Sequence, residues 1–454
     1  MSDTSALRLL VIGAGPAGTA AATDAAAHGA DVTLVETSVV GGAAHLWDCI
    51  PSKAMVASSM RLANVRASGH LGLADVEDLR VDMGRLSERR EAITSRLVSG
   101  VTGILESQGV DIVRGRGRLT GPSSAVIVTE DGEEPVGFDA ALLSTGSRPF
   151  EPAWADVDGE RIITTRHAYG LPELPDHMVI VGSGVTGVEF VHIFSSLGAE
   201  VTLLVSRQQV LPHRDAEVAA VLEEDFLERG VRLLKGARAS GAEVDGDGVV
   251  VTTEDGRVVR GSHCLLAVGS VPNTEDLGLE AAGVETQRGF VTVDEFQRTS
   301  VPAIYAAGDI TGQLPLSSVA SMQGRKVARH ALDLPVTPVD LRKASQAIFT
   351  EPEIASVGLE EADAAAEGRK VRITKVPFAA NPRSLIQGTA RGFVKVISDP
   401  ATHVVLGGTI VGHHASELIG MLALAVQGGL RTDLFVETLM VHPSLAESLV
   451  DAAD

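Results

Sequence analysis

Cysteine is scarce. The chain of 454 residues has two, Cys49 and Cys264, too few for a disulfide framework and in keeping with a reducing cytosol. Long hydrophobic runs are missing as well. Stretches such as 421–426 are soon broken by glycine, far short of the roughly 18 apolar residues a membrane helix needs. The first apolar run, 7–12, leads straight into a glycine turn and is too short for the core of a secretory signal. Positive charge is in deficit: 38 basic residues stand against 59 acidic ones, a formal charge of −21. That balance excludes non-specific attraction to nucleic acid or to an anionic membrane surface. A cytoplasmic protein with no membrane span and no nucleic-acid partner is expected, and no metal-ligating set stands out.

What the chain has in quantity is glycine, 48 residues, many of them in motifs. Its length suits three domains of ordinary size. Residues 7–36 read LRLLVIGAGPAGTAAATDAAAHGADVTLVE: an apolar strand, a glycine turn, an alanine-rich helix, Gly29 and a second strand ending at Glu36. Residues 178–205, MVIVGSGVTGVEFVHIFSSLGAEVTLLV, repeat those elements. In both copies the third glycine of the turn, Gly18 or Gly187, lies 18 residues before the end of the second strand. Two such βαβ units argue for two dinucleotide-binding domains with parallel sheets. Each is followed by an apolar strand ending in Gly-Ser-x-Pro, at 141–149 and 265–272, where glycine and proline reverse the chain in a crossing between domains. A further short strand, 304–309, ends in Gly308-Asp309. From about 345 the pattern changes to alternating strands (372–376, 392–398, 404–412) and then to alanine- and leucine-rich helices. The C-terminal part therefore reads as an α+β domain.

Gly13-x-Gly15-x-x-Gly18 opens a helix directly after a strand. The first glycine allows the tight turn, the second lets backbone approach a pyrophosphate, and the third lets helix pack on strand. The anion then faces the positive helix N-terminus, and Glu36 can accept hydrogen bonds from a ribose. Gly182-x-Gly184-x-x-Gly187 has the same setting, but Val205 stands where Glu36 stands in the first copy, followed by Ser206 and Arg207. A carboxylate there would repel a 2′-phosphate, whereas an arginine neutralises it. The second cradle should accept NADPH as well as NADH.

With these motifs the chain resembles the pyridine nucleotide-disulfide oxidoreductases, such as dihydrolipoamide dehydrogenase and glutathione reductase. The resemblance spans essentially the whole chain. It rests on the two glycine motifs, 49–53 (CIPSK), the 144–149 turn, Glu189, the 306–309 motif and His442-Pro443-Ser444-x-x-Glu447. It implies an α/β fold: two Rossmann-like domains plus an α+β dimerisation domain. The FAD domain would cover 1–150 and 271–340, the NAD(P) domain 151–270 and the dimerisation domain 341–454. FAD would lie on Gly13, Gly15, Pro16, Ala17, Gly18, Glu36 and Gly42, with Thr145, Gly146, Gly308 and Asp309 also lining its site. The nicotinamide cofactor would lie on Gly182, Gly184, Val185, Thr186, Gly187, Arg207 and Gly269. Lys53 and Glu189 match a pair beside the flavin N5, where a cation steadies negative charge. His442, preceding Pro443 as a first helical residue, and Glu447 match an acid/base pair that reaches the partner subunit's site, so a homodimer is implied.

One departure bears on function. The family has C-x-x-x-x-C before I-P-S-K; here the segment reads Gly41-Gly42-Ala43-Ala44-His45-Leu46-Trp47-Asp48-Cys49. Ala44 occupies the place of the first cysteine, the interchange thiol. Cys264, on an apolar strand, reads as a small core residue. Without the interchange thiol, electrons must pass straight from the flavin to an acceptor such as a quinone, a reading shared with homologues that lack this cysteine. Two alternatives stay open: a one-cysteine thiol enzyme working through Cys49, and a non-catalytic flavoprotein subunit. Cys49 itself reads either as a thiolate favoured by the flavin and by a helix begun at Pro51 or as an inert remnant. His45 and Trp47 either wall a flat quinone pocket or fill the space left by the disulfide.

Overall fold

The computed structural model describes residues 6–74 and 79–454. The chain forms two compact units. Met1–Ser52, Glu88–Phe150 and Gly269–Leu341 make the first, and Lys53–Ser87, Glu151–Val268 and Arg342–Asp454 the second.

The first unit is built on a five-stranded parallel sheet in the order Ile304–Ala306, Ala140–Leu143, Arg8–Ile12, Asp31–Glu36, Asp111–Arg114. Leu9–Ile12 are all buried, as a central parallel strand covered on both faces requires. The alanine-rich helix Pro16–Ala27 has proline at its first turn, where a missing N–H costs nothing. It packs closely on helix Ser317–Ala331, so closely that a Cβ on Gly324 would come within 2.0 Å of the Ala17 carbonyl oxygen. Small side chains allow that approach, and no larger residue would fit at Gly324.

The second unit repeats this plan. Its parallel sheet runs Arg232–Lys235, Glu200–Val205, His177–Val181, His263–Leu266, Ile162–Thr164. The repeat extends to register: Val35 pairs with Ile12 as Leu204 pairs with Val181, and Glu36 and Val205 take equivalent places, opposite Arg114 and Lys235. Each copy also carries a three-stranded antiparallel meander before its fourth strand, 116–137 in one and 239–261 in the other. Neither meander is marked by a motif in the sequence. Helix Val185–Leu197 is buried along most of its length, with Phe190 and Phe194 stacked 6.0 Å apart. Each such side chain contributes about 1.5–3 kcal/mol through removal from water.

The C-terminal part of the second unit holds an antiparallel sheet, Gln346–Ile348, Glu353–Gly358, Val405–Gly412, Phe393–Ser398, Arg372–Pro377, and helix Ala415–Gly428, which packs against it. The expected strands are there. The Phe393–Ser398 strand is nevertheless buried at every position. Its Lys395, 1% exposed, is met by Asp215, Glu217 and Glu361 at 2.5, 2.6 and 3.2 Å, so the charge goes inside with its counter-charges. Those three carboxylates lie close enough together to resemble metal ligands, but the ammonium stands among them.

Candidate active site

In the first unit, the strand-end glycine turn is shaped by the protein itself at two of its three glycines. Gly13 has φ +102°, and a Cβ there would meet the Ser144 carbonyl oxygen at 2.5 Å. A Cβ on Gly18 would meet the Gly13 oxygen at 1.9 Å. Ser144 fastens the turn by donating its hydroxyl to the Gly13 carbonyl at 2.7 Å. Gly15 differs: the nearest protein atom to a Cβ would be 3.9 Å away. The space before Gly15 is open, as a cradle for a pyrophosphate should be. Gly42, φ +55°, backs onto Gly15, its would-be Cβ 3.1 Å from the Gly15 Cα.

Glu36 ends its strand with both carboxylate oxygens fixed. One accepts the Ala14 N–H at 2.8 Å and the other the Ser38 N–H at 2.8 Å. Asp309 accepts a hydrogen bond from Ser147 at 2.9 Å. Gly308 donates its N–H to buried Gln323 at 2.8 Å. Thr145 and Gly146 are bridged to Asn273, whose backbone carbonyl accepts the Thr145 hydroxyl at 2.6 Å and whose N–H donates to the Gly146 carbonyl at 3.0 Å. Here the two Gly-Ser-x-Pro crossings meet, Ser147–Pro149 pairing antiparallel with Ser270–Pro272. Gly269, φ +107° and in open space, lies at that crossing and accepts the Phe150 N–H. Gln323 and Asn273 carry no motif and were not foreseen.

The second cradle has the same division of labour. Gly182, φ +113°, would clash with the Ala267 carbonyl at 2.2 Å, and Gly187 with the Gly182 oxygen at 1.8 Å, while Gly184 has nothing within 4 Å. Gly184 caps helix Val185–Leu197, which has no acidic residue in its first turn, so its positive end is free for an anion. Val185 and Thr186 are exposed on that first turn. Val205 is buried and Arg207 exposed, with the Arg207 carbonyl accepting the Gly236 N–H.

Lys53 and Glu189 meet within the second unit. The ammonium lies 2.9 and 3.2 Å from the two oxygens of Glu189, whose side chain is 7% exposed. The Phe349 N–H donates to the same carboxylate at 3.0 Å, a contact the sequence did not announce.

The segment before Cys49 is a π-helix, Ala44–Asp48, which hands over at Cys49 to helix Ile50–Arg66. Cys49 Sγ lies 3.1 Å from the Ser317 hydroxyl. Cys264 is fully buried, and burial pushes its thiol up to about 12. Neither cysteine is in a disulfide. His45 folds back over Gly41, its Nδ1 only 1.9 Å from where a Cβ would be, and burial lowers its pKa. Trp47 is 38% exposed.

His442 Nδ1 lies 2.8 Å from Glu447 Oε1. The Ser444 N–H and then His442 hold the Glu447 carboxyl below its ordinary range. The last helix is Glu447–Ala453, so Pro443 is not its first residue; the backbone turns at Leu445–Ala446 before the helix begins. Asn381 fixes that turn by donating to the Ser444 carbonyl at 3.0 Å and to Ser448 at 2.9 Å.

Two glycine cradles at the ends of parallel strands, a half-buried lysine set against a buried carboxylate and a cysteine just before a helix define a dinucleotide-dependent redox protein. The pyridine nucleotide-disulphide oxidoreductase family matches residues 7–324, and its dimerisation domain matches residues 344–453. The chain belongs to this family, and its cofactors are FAD and NAD(P)H. The dimerisation domain supports a homodimer.

Among its relatives, an NAD(P)H dehydrogenase (quinone) of Mycobacterium tuberculosis H37Rv is 42% identical across 98% of this chain and 93% of its own length. A dihydrolipoyl dehydrogenase of Bacillus subtilis is 36% identical across 98% of this chain and 95% of its own. The crystal structure of LpdA from Mycobacterium tuberculosis superposes with a TM-score of 0.94 at 42% identity, covering 98% of this chain and 99% of that one. Among the described residues no helix is long and apolar enough to cross a membrane.

Proposed function

We propose that this chain is an NAD(P)H:quinone reductase, in which NAD(P)H, a proton and a quinone become NAD(P)⁺ and a quinol. The observation that carries this reading is Ala44 at the interchange-thiol position. The chain's other cysteine, Cys264, is sealed in the core, so no second thiol stands at the interchange position to relay electrons to a disulfide. The relative named as a quinone dehydrogenase supports the choice of acceptor.

FAD, when bound, would supply the two-electron carrier between NAD(P)H and the acceptor. The chain's own residues bind and steady the reactants. Gly13, Gly15, Gly18 and Glu36 hold FAD with Asp309 alongside, and Gly182, Gly184, Gly187 and Arg207 hold the nicotinamide cofactor. Lys53, held in place by Glu189, offsets negative charge as electrons arrive. Quinone oxygens need protons, and His442, kept in one tautomer by Glu447, supplies them. The His442 side chain is 71% exposed beside Leu439 and Val441, exposed at 99% and 78%. A lone chain leaves this apolar patch bare, which suits a site completed by a second copy.

Steady-state oxidation of NADPH by a benzoquinone tests the proposal, with dihydrolipoamide-dependent reduction of NAD⁺ as the contrast. Quinone turnover that survives Cys49→Ser, with no lipoamide activity, is expected. Robust lipoamide activity, or quinone turnover abolished by Cys49→Ser, would overturn it.

A further inference from the structure

We propose that Phe349 is a positioning residue that fixes where the Lys53 charge stands. The inference rests on the reading above, that this charge acts on the bound flavin. Phe349 touches both members of the Lys53–Glu189 pair. Its ring lies under the ammonium, 4.8 Å from Nζ to the ring centre, and its N–H donates to Glu189 at 3.0 Å. The negative face of an aromatic ring attracts a cation, more strongly where water is partly excluded. Lys53 is 35% exposed in its side chain, and a four-carbon stem with one anchor would leave its charge spread over several positions. Carboxylate on one side and ring on the other leave it one.

The ring is in turn held by a pinned stretch of chain. It follows strand Gln346–Ile348, paired with Glu353–Gly358. Thr350 donates its N–H to the Ile348 carbonyl at 3.1 Å and its hydroxyl to the Pro352 carbonyl at 2.6 Å. Arg229 donates to the Glu351 carbonyl at 2.6 Å, and His413 lies 3.2 Å from the Glu351 carboxylate. These contacts fix the backbone on both sides of Phe349, so the ring has little freedom to follow a wandering ammonium. The part of the chain that matches the dimerisation domain thereby sets the geometry of a charge pair whose members lie on two other segments.

The test uses purified FAD-loaded protein and four variants: Phe349→Leu, Phe349→Tyr, Lys53→Met and the double variant Phe349→Leu/Lys53→Met. The readouts are FAD content, melting temperature, the midpoint potential of the bound flavin and the rate of anaerobic flavin bleaching by NADPH. Phe349→Leu keeps the backbone N–H and removes the ring. It is expected to retain FAD, to lower the potential and to slow bleaching about three- to fivefold, the scale of one partly exposed cation–π contact. Phe349→Tyr keeps the aromatic face and should restore both values. Lys53→Met should move both further, and the double variant should match Lys53→Met alone. Should Phe349→Leu fold poorly, Phe349→Met takes its place, keeping bulk without an aromatic face. If Lys53→Met moves the potential and Phe349→Leu does not, or if the two effects add, Phe349 does not act through Lys53 and the inference fails. If Lys53→Met leaves the potential unmoved, the reading of Lys53 beside the flavin fails with it.

Discussion

At the scale of single residues, the two kinds of glycine in each cradle have different jobs. Gly13 is demanded by the protein, since a Cβ would sit 2.5 Å from the Ser144 carbonyl and the backbone is at φ +102°. Gly13→Ala should cost about 1–3 kcal/mol through overpacking, with strain of the left-handed backbone added. Gly15 is demanded by nothing in the chain, and its would-be Cβ has open space. Gly15→Val is therefore expected to fold and melt as the wild-type apoprotein does, yet to lose its yellow colour. Absorbance at 450 nm and a melting curve of each variant separate the two effects; a flavin-replete Gly15→Val would refute the cradle. His192 supports a second prediction. It is wholly buried, and burial, then the neighbouring Arg229, push its imidazole down to about 3. Its Nδ1 accepts from Arg229 at 3.1 Å, and its Nε2 has no hydrogen-bond partner among the described residues. The folded protein thus binds a proton at His192 far less readily than the unfolded chain, whose imidazole titrates near 6.5. This contribution to stability is complete above pH 6.5 and is lost as pH falls toward 3, at up to about 1.4 kcal/mol per pH unit. Urea midpoints measured from pH 7.5 to 5 should fall for the wild type and fall less steeply for His192→Asn, which keeps an acceptor for Arg229. Equal slopes would show that other groups govern the acid side.

At the scale of elements, the strand–turn–helix–strand repeat was readable because each piece has a local cause: an apolar run, glycines at set spacing, an alanine face. The turns at Gly-Ser-x-Pro and three of the five strands of the C-terminal sheet were readable for the same reason, whereas Gln346–Ile348 and Glu353–Gly358 were not. What stayed hidden depends on partners far along the chain. Asn273, Gln323, Ser317 and Phe349 look ordinary in sequence, and their roles come from residues 128, 15, 268 and 160 positions away. The π-helix at Ala44–Asp48 and the buried Lys395 belong here too, and Pro443 misled because proline also suits a turn. The end of strand Glu200–Val205 is where an element-scale reading makes a prediction. Val205 takes the register position of Glu36, opposite Lys235, and exposed Arg207 follows it. NADPH should be used at least as well as NADH. Arg207→Ala should lower kcat/KM for NADPH about fivefold, the worth of one exposed charge-assisted contact, and leave NADH unchanged. Val205→Glu should reverse the preference. An Arg207→Ala enzyme with wild-type NADPH efficiency would reduce the argument to Val205 alone.

At the scale of the whole molecule, the proposed chemistry needs more than one chain. His442 and Glu447 lie in the part of the chain that matches the dimerisation domain, which has no nucleotide cradle of its own. Their pair is well formed, held by Ser444 and Asn381, yet His442 stands largely in solvent with Leu439 and Val441 bare beside it. An acid–base pair built so firmly and left open is suited to act on something another chain brings. Deleting residues from His442 onward should leave FAD bound and still bleached by NADPH, while quinone turnover falls because proton delivery is lost. A sharper measurement mixes two inactive variants, His442→Ala and Gly184→Val. In a heterodimer, the His442→Ala chain supplies an intact second cradle and its Gly184→Val partner supplies an intact His442. One of the two sites is then whole, and a random exchange of subunits makes half of the dimers mixed. Activity should return to about a quarter of the wild-type value, since half the dimers carry one working site of two. Exchange is followed independently by mass spectrometry of differently tagged chains. Exchange without recovered turnover, or a fully active monomer, would show that each chain completes its own site.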